Sequence, residues 1–139
     1  MTWTELKENI TNWRFSKERA IYFTIGLTTL LFLEFVAKPF YRPYIYSNDI
    51  FDFHIADTLG NSLGTIAGIF IILTFLGRDR NQYHFLIKTI TISFIFYEII
   101  QPLLGNPIDP WDIVATILAG GLCFLIYQLL NFGQKVKTN

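Results

Sequence analysis

The sequence predicts an all-α polytopic membrane protein: a four-transmembrane-helix bundle preceded by a short N-terminal amphipathic interfacial helix. Two observations carry that expectation. Of 139 residues, 52% are hydrophobic and only 16% charged, against about 25% charged in an ordinary soluble domain. The apolar residues also gather into four runs of the length a bilayer demands, since a hydrocarbon core of about 30 Å takes about 20 helical residues. Barrel strands need only about half that length, and in lipid only helices and closed barrels satisfy the backbone. The whole chain, 1–139, is therefore expected to form a single membrane domain.

At the N-terminus, Trp3, Leu6, Ile10 and Trp13 recur at i, i+3, i+7 and i+10, while Glu5, Lys7, Glu8 and Asn9 occupy other faces. Thr2 and Glu5 have capping-box spacing. Segment 1–19 is expected to be a cytoplasmic amphipathic segment with a short helix, either lying on the membrane surface by its tryptophans or packed on the end of the bundle. The spans are expected at 20–38, 55–76, 83–104 and 111–130. The first run is long enough to cross and lacks a small-x-small cleavage site, so it should remain as the first span. The loop 39–54 carries Phe40, Tyr41, Tyr44, Tyr46, Phe51 and Phe53, an aromatic belt suited to the lipid headgroups.

Orientation follows the cations. Lys7, Arg14, Lys17, Arg19, Arg78, Arg80, Lys88, Lys135 and Lys137 fall on one side of these spans, and only Lys38 and Arg42 on the other. A multi-pass protein of the cell membrane with both termini cytoplasmic is the expectation. Asp49, Asp52 and Asp109 make the opposite side acidic. The formal net charge is zero, which gives no reason to expect a nucleic-acid partner. The lone Cys123 excludes an intrachain disulfide.

Ionisable residues inside a bilayer are costly and mark functional positions. Glu98 lies roughly 22 Å, and Glu34 roughly 21 Å, from the basic ends of their spans at about 1.5 Å per residue. Asp57 and Asp112 stand at the acidic-side entrances of the second and fourth spans. One carboxylate per helix thus falls in one layer. Gln101 shares a face with Glu98 and Asn61 with Asp57. A ligand-binding polar pocket of Glu98, Gln101, Asp112, Asp57, Asn61 and Glu34 is expected to open toward the outside. Plainer roles exist for several members. Glu34 and Lys38 are i, i+4 and can neutralise each other. Asp109, Pro110 and Asp112 suit the start of a helix, and Asp57 suits a helix N-terminus. Glu98 has no such explanation. Gly60, Gly64 and Gly68, with Gly120 in the fourth span, are expected to allow close helix packing.

Catalytic signatures do not stand out: there is no phosphate-binding glycine loop, no nucleophile elbow and no HExxH. No cofactor and no catalytic residue is therefore expected. His54, between Asp52 and Asp57, is conceivable in a metal site or as a plain loop residue. His84 falls at the other membrane face. A weak echo links the halves: Asp49 and Asp52 precede Gly60 as Asp109 and Asp112 precede Gly120, as a duplicated helical hairpin would.

Glu98 and Gln101, a glycine- and proline-containing turn, Asp112 and a small-residue helix with Gly120 resemble the second half of the VanZ-like membrane proteins. Asp57, Asn61, Gly64 and Gly68 are similar to that family's Asp-x3-Asn-x2-Gly-x3-Gly portion. The resemblance covers roughly residues 50–130. Asn106 and Pro107 stand where the family's turn carries arginine, and Thr116 where an asparagine would follow Asp112. The resemblance implies a bacterial cytoplasmic-membrane protein of the cell envelope, its namesake being associated with resistance to the glycopeptide teicoplanin. Three function classes follow: a non-enzymatic protein binding a lipid headgroup, envelope precursor or membrane partner; a small ion- or proton-coupled transporter or channel subunit; and a metal-dependent intramembrane hydrolase. The first is the leading expectation, with membrane lipids, a second copy of the chain or another membrane protein as partners.

Overall fold

A computed structural model describes residues 2–132; Lys135 and Lys137, counted above among the cations, lie outside the described residues. The described residues form five helices and no strand, and four of the helices are long and apolar enough to cross a membrane. We number them α1 (Trp3–Thr11), α2 (Lys17–Ser47), α3 (Ile55–Leu76), α4 (Arg80–Ile100) and α5 (Pro110–Leu130).

Each helix begins where local chemistry satisfies its first amides. Thr2 and Glu5 form the reciprocal capping box of α1. The hydroxyl of Ser16 accepts from the Arg19 amide at the start of α2, and Asp79 accepts from Gln82 at the start of α4. Asp109 accepts from Trp111, with Pro110 as the first residue of α5, where a missing N–H costs nothing. At its far end α4 tightens into a 3₁₀ turn, Gln101–Leu104, and reverses at Gly105, whose φ of 86° suits glycine.

The first span departs from expectation. It was expected to stop at Lys38 and release a loop from Pro39, but α2 continues to Ser47. Pro39 has no N–H to give and crowds the preceding turn. The chain responds by winding Leu33–Tyr41 as a π-helix, which carries the proline inside the helix. Pro43 then falls at the start of the resumed α-helical part, Arg42–Ser47, where it is tolerated. The loop shrinks to residues 48–54, and Tyr44 and Tyr46 ride on a helix. Asp49, Phe53 and His54 in that loop take positive φ angles of 50°, 57° and 63°, a region non-glycine residues seldom occupy.

Helix α3 is the centre of the bundle. It packs on α2 along one side and on α4 and α5 along the other. α2 and α3 approach closely at Gly26, where an added Cβ would stand 2.8 Å from Ile71. Toward the basic end a dense core assembles from Tyr22, Ile69, Phe70, Leu73, Tyr83, Leu86, Ile87, Cys123 and Tyr127. Tyr22 is fully buried, with ring centroids 5.5 Å from Tyr83 and 6.2 Å from Tyr127. Its hydroxyl donates to Glu18 at 2.5 Å and accepts from Asn131 at 2.9 Å, so the ring is anchored where a buried O–H requires a partner.

Of the two expectations for α1, the structure shows packing on the end of the bundle. The helix packs on the bundle end by a polar residue: Asn9 is 1% exposed, and its amide donates to the Leu76 carbonyl and to Gln82. Trp3 and Ile10 remain exposed on the other side. Trp13, just beyond α1, donates its indole N–H to the Thr74 carbonyl at 3.1 Å.

Candidate functional site

Helices α3, α4 and α5 line a groove of about 440 Å³ in the half of the bundle nearer the acidic end. Its wall combines Gly60, Asn61, Gly64 and Thr65 of α3 with Ser93, Phe94, Tyr97 and Glu98 of α4 and Thr116 of α5. Glycines create this space. A Cβ added at Gly60 or Gly64 would meet nothing within 4 Å. Spacing alone had pointed to a packing role for both; with no side chain of their own and no neighbour pressed against them, they open the groove instead. Gly68 and Gly120 do sit at close approaches, with Phe94 3.1 Å from the Cβ position of the first and Thr91 2.4 Å from that of the second.

Glu98 is the buried carboxylate of this groove, only 4% exposed. Gln101, one turn on, donates to its Oε2 at 2.9 Å. The other carboxylate oxygen accepts no hydrogen bond among the described residues. Asp112 is not part of the groove wall but lies beside Asn61 and within electrostatic reach of Glu98. Its Oδ1 is buried and has no hydrogen-bond partner among the described residues. Asn61 is the polar side chain that faces this carboxylate from the neighbouring helix.

The structure thus brings together Glu98, Gln101, Asn61 and Asp112. It does not bring in Glu34, which is exposed on α2 and ion-paired with Lys38. Nor does Asp57 turn into the groove, although it shares a helix with Asn61. Its carboxylate takes the Tyr46 hydroxyl and lies 3.1 Å from His54 Nδ1. Arg42 donates in turn to the Tyr46 oxygen at 3.0 Å. Asp57 therefore ties the far end of α2 to the first turn of α3. Among the described residues no group of three or more metal-ligating side chains is placed to hold an ion. His54 stacks on Trp111, with planes 15° apart and centroids separated by 5.1 Å. His84 lies 3.0 Å from Gln128 at the other end.

Sequence reasoning had missed Thr65, Ser93, Tyr97 and Thr116 as groove residues. Thr116 was legible, because it lies one turn from Asp112 on the same face. The other three are ordinary side chains of apolar helices until the neighbours are placed. The two aspartate-glycine echoes also diverge in three dimensions. Asp52 accepts from the Ala56 amide at the start of α3 and Asp109 caps α5, but Gly60 faces open space while Gly120 is packed on Thr91.

No protein-family model, curated protein or solved structure matches this chain. The functional reading rests on the groove.

Proposed function

We propose that the chain is a non-enzymatic integral membrane protein that binds an amphiphile, a lipid or a lipid-linked envelope precursor, through the α3–α4–α5 groove. One observation carries the reading: a nearly buried carboxylate, Glu98, faces an open groove whose floor is made of glycine. The polar mouth of Glu98, Asn61 and Thr116 suits a headgroup that donates hydrogen bonds or carries an amine. The strip formed by Gly60, Gly64 and Phe94 suits a hydrocarbon chain. Bare phosphate is disfavoured there by the acidic neighbours Asp109 and Asp112.

Conduction is less well supported. Beneath the groove, toward the basic end, the way is filled by Phe70, Leu73, Ile87, Cys123 and Tyr127, all nearly or fully buried. In the proposed orientation the basic end and both termini face the cytoplasm, and the groove opens to the outer leaflet. The resemblance to VanZ-like proteins supplies the setting, a bacterial cell membrane and a link to glycopeptide resistance.

The test is thermal unfolding of the detergent-purified protein with phosphatidylethanolamine, phosphatidylcholine and a lipid-linked amino sugar as probes. A ligand that binds the folded state raises its Tm by mass action. An upward shift with an amine-bearing probe, lost in Glu98→Gln, is expected. Equal shifts in wild type and variant, or none with any probe, would overturn the reading.

A further inference from the structure

A second pocket lies at the opposite end of the bundle. It measures about 570 Å³ and is lined by Asn12, Arg14, Ser16, Glu18, Arg19, Gly77, Arg78 and Tyr83. It forms where three segments meet: the link from α1 to α2, the first turn of α2, and the short connection from α3 to α4. Three arginines face one glutamate there, and that glutamate already accepts the Tyr22 hydroxyl.

Arg19 is the decisive residue. Its side chain is 7% exposed. Nη2 donates to the Gly77 carbonyl at 2.7 Å, and the guanidinium lies over Trp13, 5.7 Å from the ring centroid. Nη1 is buried with no partner among the described residues. Tyr83 is a further polar neighbour of this guanidinium, and a guanidinium held this firmly presents a fixed point of positive charge at the pocket wall. Neither Arg14 nor Arg78 has its guanidinium engaged by a carboxylate among the described residues. The N-terminus of α2 adds its own partial positive charge on the same side.

We propose that this pocket binds a phosphate group, with Arg19 as the buried anchor and Arg14 and Arg78 closing on it from the rim. Guanidinium donors match phosphate oxygens in geometry and form charge-assisted hydrogen bonds. The exposed Trp3 and Ile10 belong to α1, which packs on the same end, the end that the proposed orientation sets at the inner-leaflet phosphates. This site is independent of the Glu98 groove, and its charge is opposite.

The experiment uses the full chain in a non-ionic detergent. Thermal unfolding is titrated with inorganic phosphate, with short-chain phosphatidic acid, with phosphatidylcholine of the same chain length, and with chloride at matched ionic strength. A rise in Tm with phosphatidic acid alone assigns the site to a lipid headgroup. A rise with inorganic phosphate as well, or alone, assigns it to a free phosphate species, and each of these results supports the proposal. Removing Arg19 also releases Gly77, so the deciding variant is Arg14→Gln with Arg78→Gln, which leaves the anchor and its packing intact. Its dissociation constant is expected to rise about tenfold or more, while Glu98→Gln leaves phosphate binding unchanged. No phosphate-specific shift in wild type, or a shift undiminished in the double variant, overturns the proposal.

Discussion

The side-chain amide of Asn9 donates to the Leu76 carbonyl at 2.7 Å, so a residue of α1 closes the last turn of α3, 67 positions further along the chain. A second bond from the same nitrogen reaches Gln82 at 2.9 Å. Asn9→Ala strips both acceptors of their donor in a buried place, at a cost of about 1–3 kcal/mol. Equilibrium unfolding in mixed micelles should show that loss, and Ile10→Ala, on the exposed face, should show little.

Two glycine substitutions of identical chemistry should act in opposite directions. Gly64→Ala meets open space and gains helix propensity, so stability should hold or rise by about 0.5–1 kcal/mol. Gly120→Ala drives a Cβ to 2.4 Å from Thr91 and should destabilise by about 1–3 kcal/mol. Gly64→Leu extends the first substitution into a functional one. It should fill the groove and abolish amphiphile binding, without a matching loss of Tm.

Gln101 bonds Glu98 and contributes nothing else to the groove wall. Gln101→Leu should cost about 1–3 kcal/mol, because it leaves a buried carboxyl group without its donor. The double variant Glu98→Leu with Gln101→Leu should recover most of that loss, since both polar groups leave together. A double-mutant cycle by thermal unfolding measures the coupling.

Cys123 is fully buried in the aromatic core at the basic end. A maleimide reagent should label it slowly in the folded protein and promptly once the bundle opens. Its labelling rate therefore reports unfolding in the membrane, and Tyr22→Phe, which loses contacts to Glu18 and Asn131, should raise that rate.

The helices were readable in advance because lipid removes most alternatives: apolar run length fixes the number of spans, and Asp109 with Pro110 marks where the last one starts. The caps Ser16 and Asp79 went unread, and those two helices begin three residues before the expected spans. The first span was misjudged at Pro39, because whether a proline ends a helix or is wound into it depends on how the next turn packs. In the site, Glu98 and Gln101 were legible from one-turn spacing on a single helix. Asp57 was not, because the Tyr46 hydroxyl that claims it arrives on a segment expected to be loop. Gly60 and Gly64 carried the same spacing as a packing face; only the absence of any neighbour within 4 Å of their Cβ positions makes them a floor. Arg19 read as one more topogenic cation, and its burial against Gly77 follows from a tertiary contact that no local pattern announces.

The π-wound stretch of α2 also sets up a quarrel over length. At about 1.5 Å per residue, 31 residues reach about 46 Å, whereas the 22 of α3 reach about 33 Å. Two neighbours in one bilayer cannot both match its thickness, so the longer must lean or push its tip out of the hydrocarbon. The tip of α2 holds Tyr46, whose hydroxyl donates to Asp57 at the start of α3, and Arg42, which donates to the Tyr46 oxygen. A thinner membrane favours more tilt of α2 and a thicker one less, and the clasp of Arg42, Tyr46 and Asp57 is the polar tie between α2 and α3 at the end that such tilting moves.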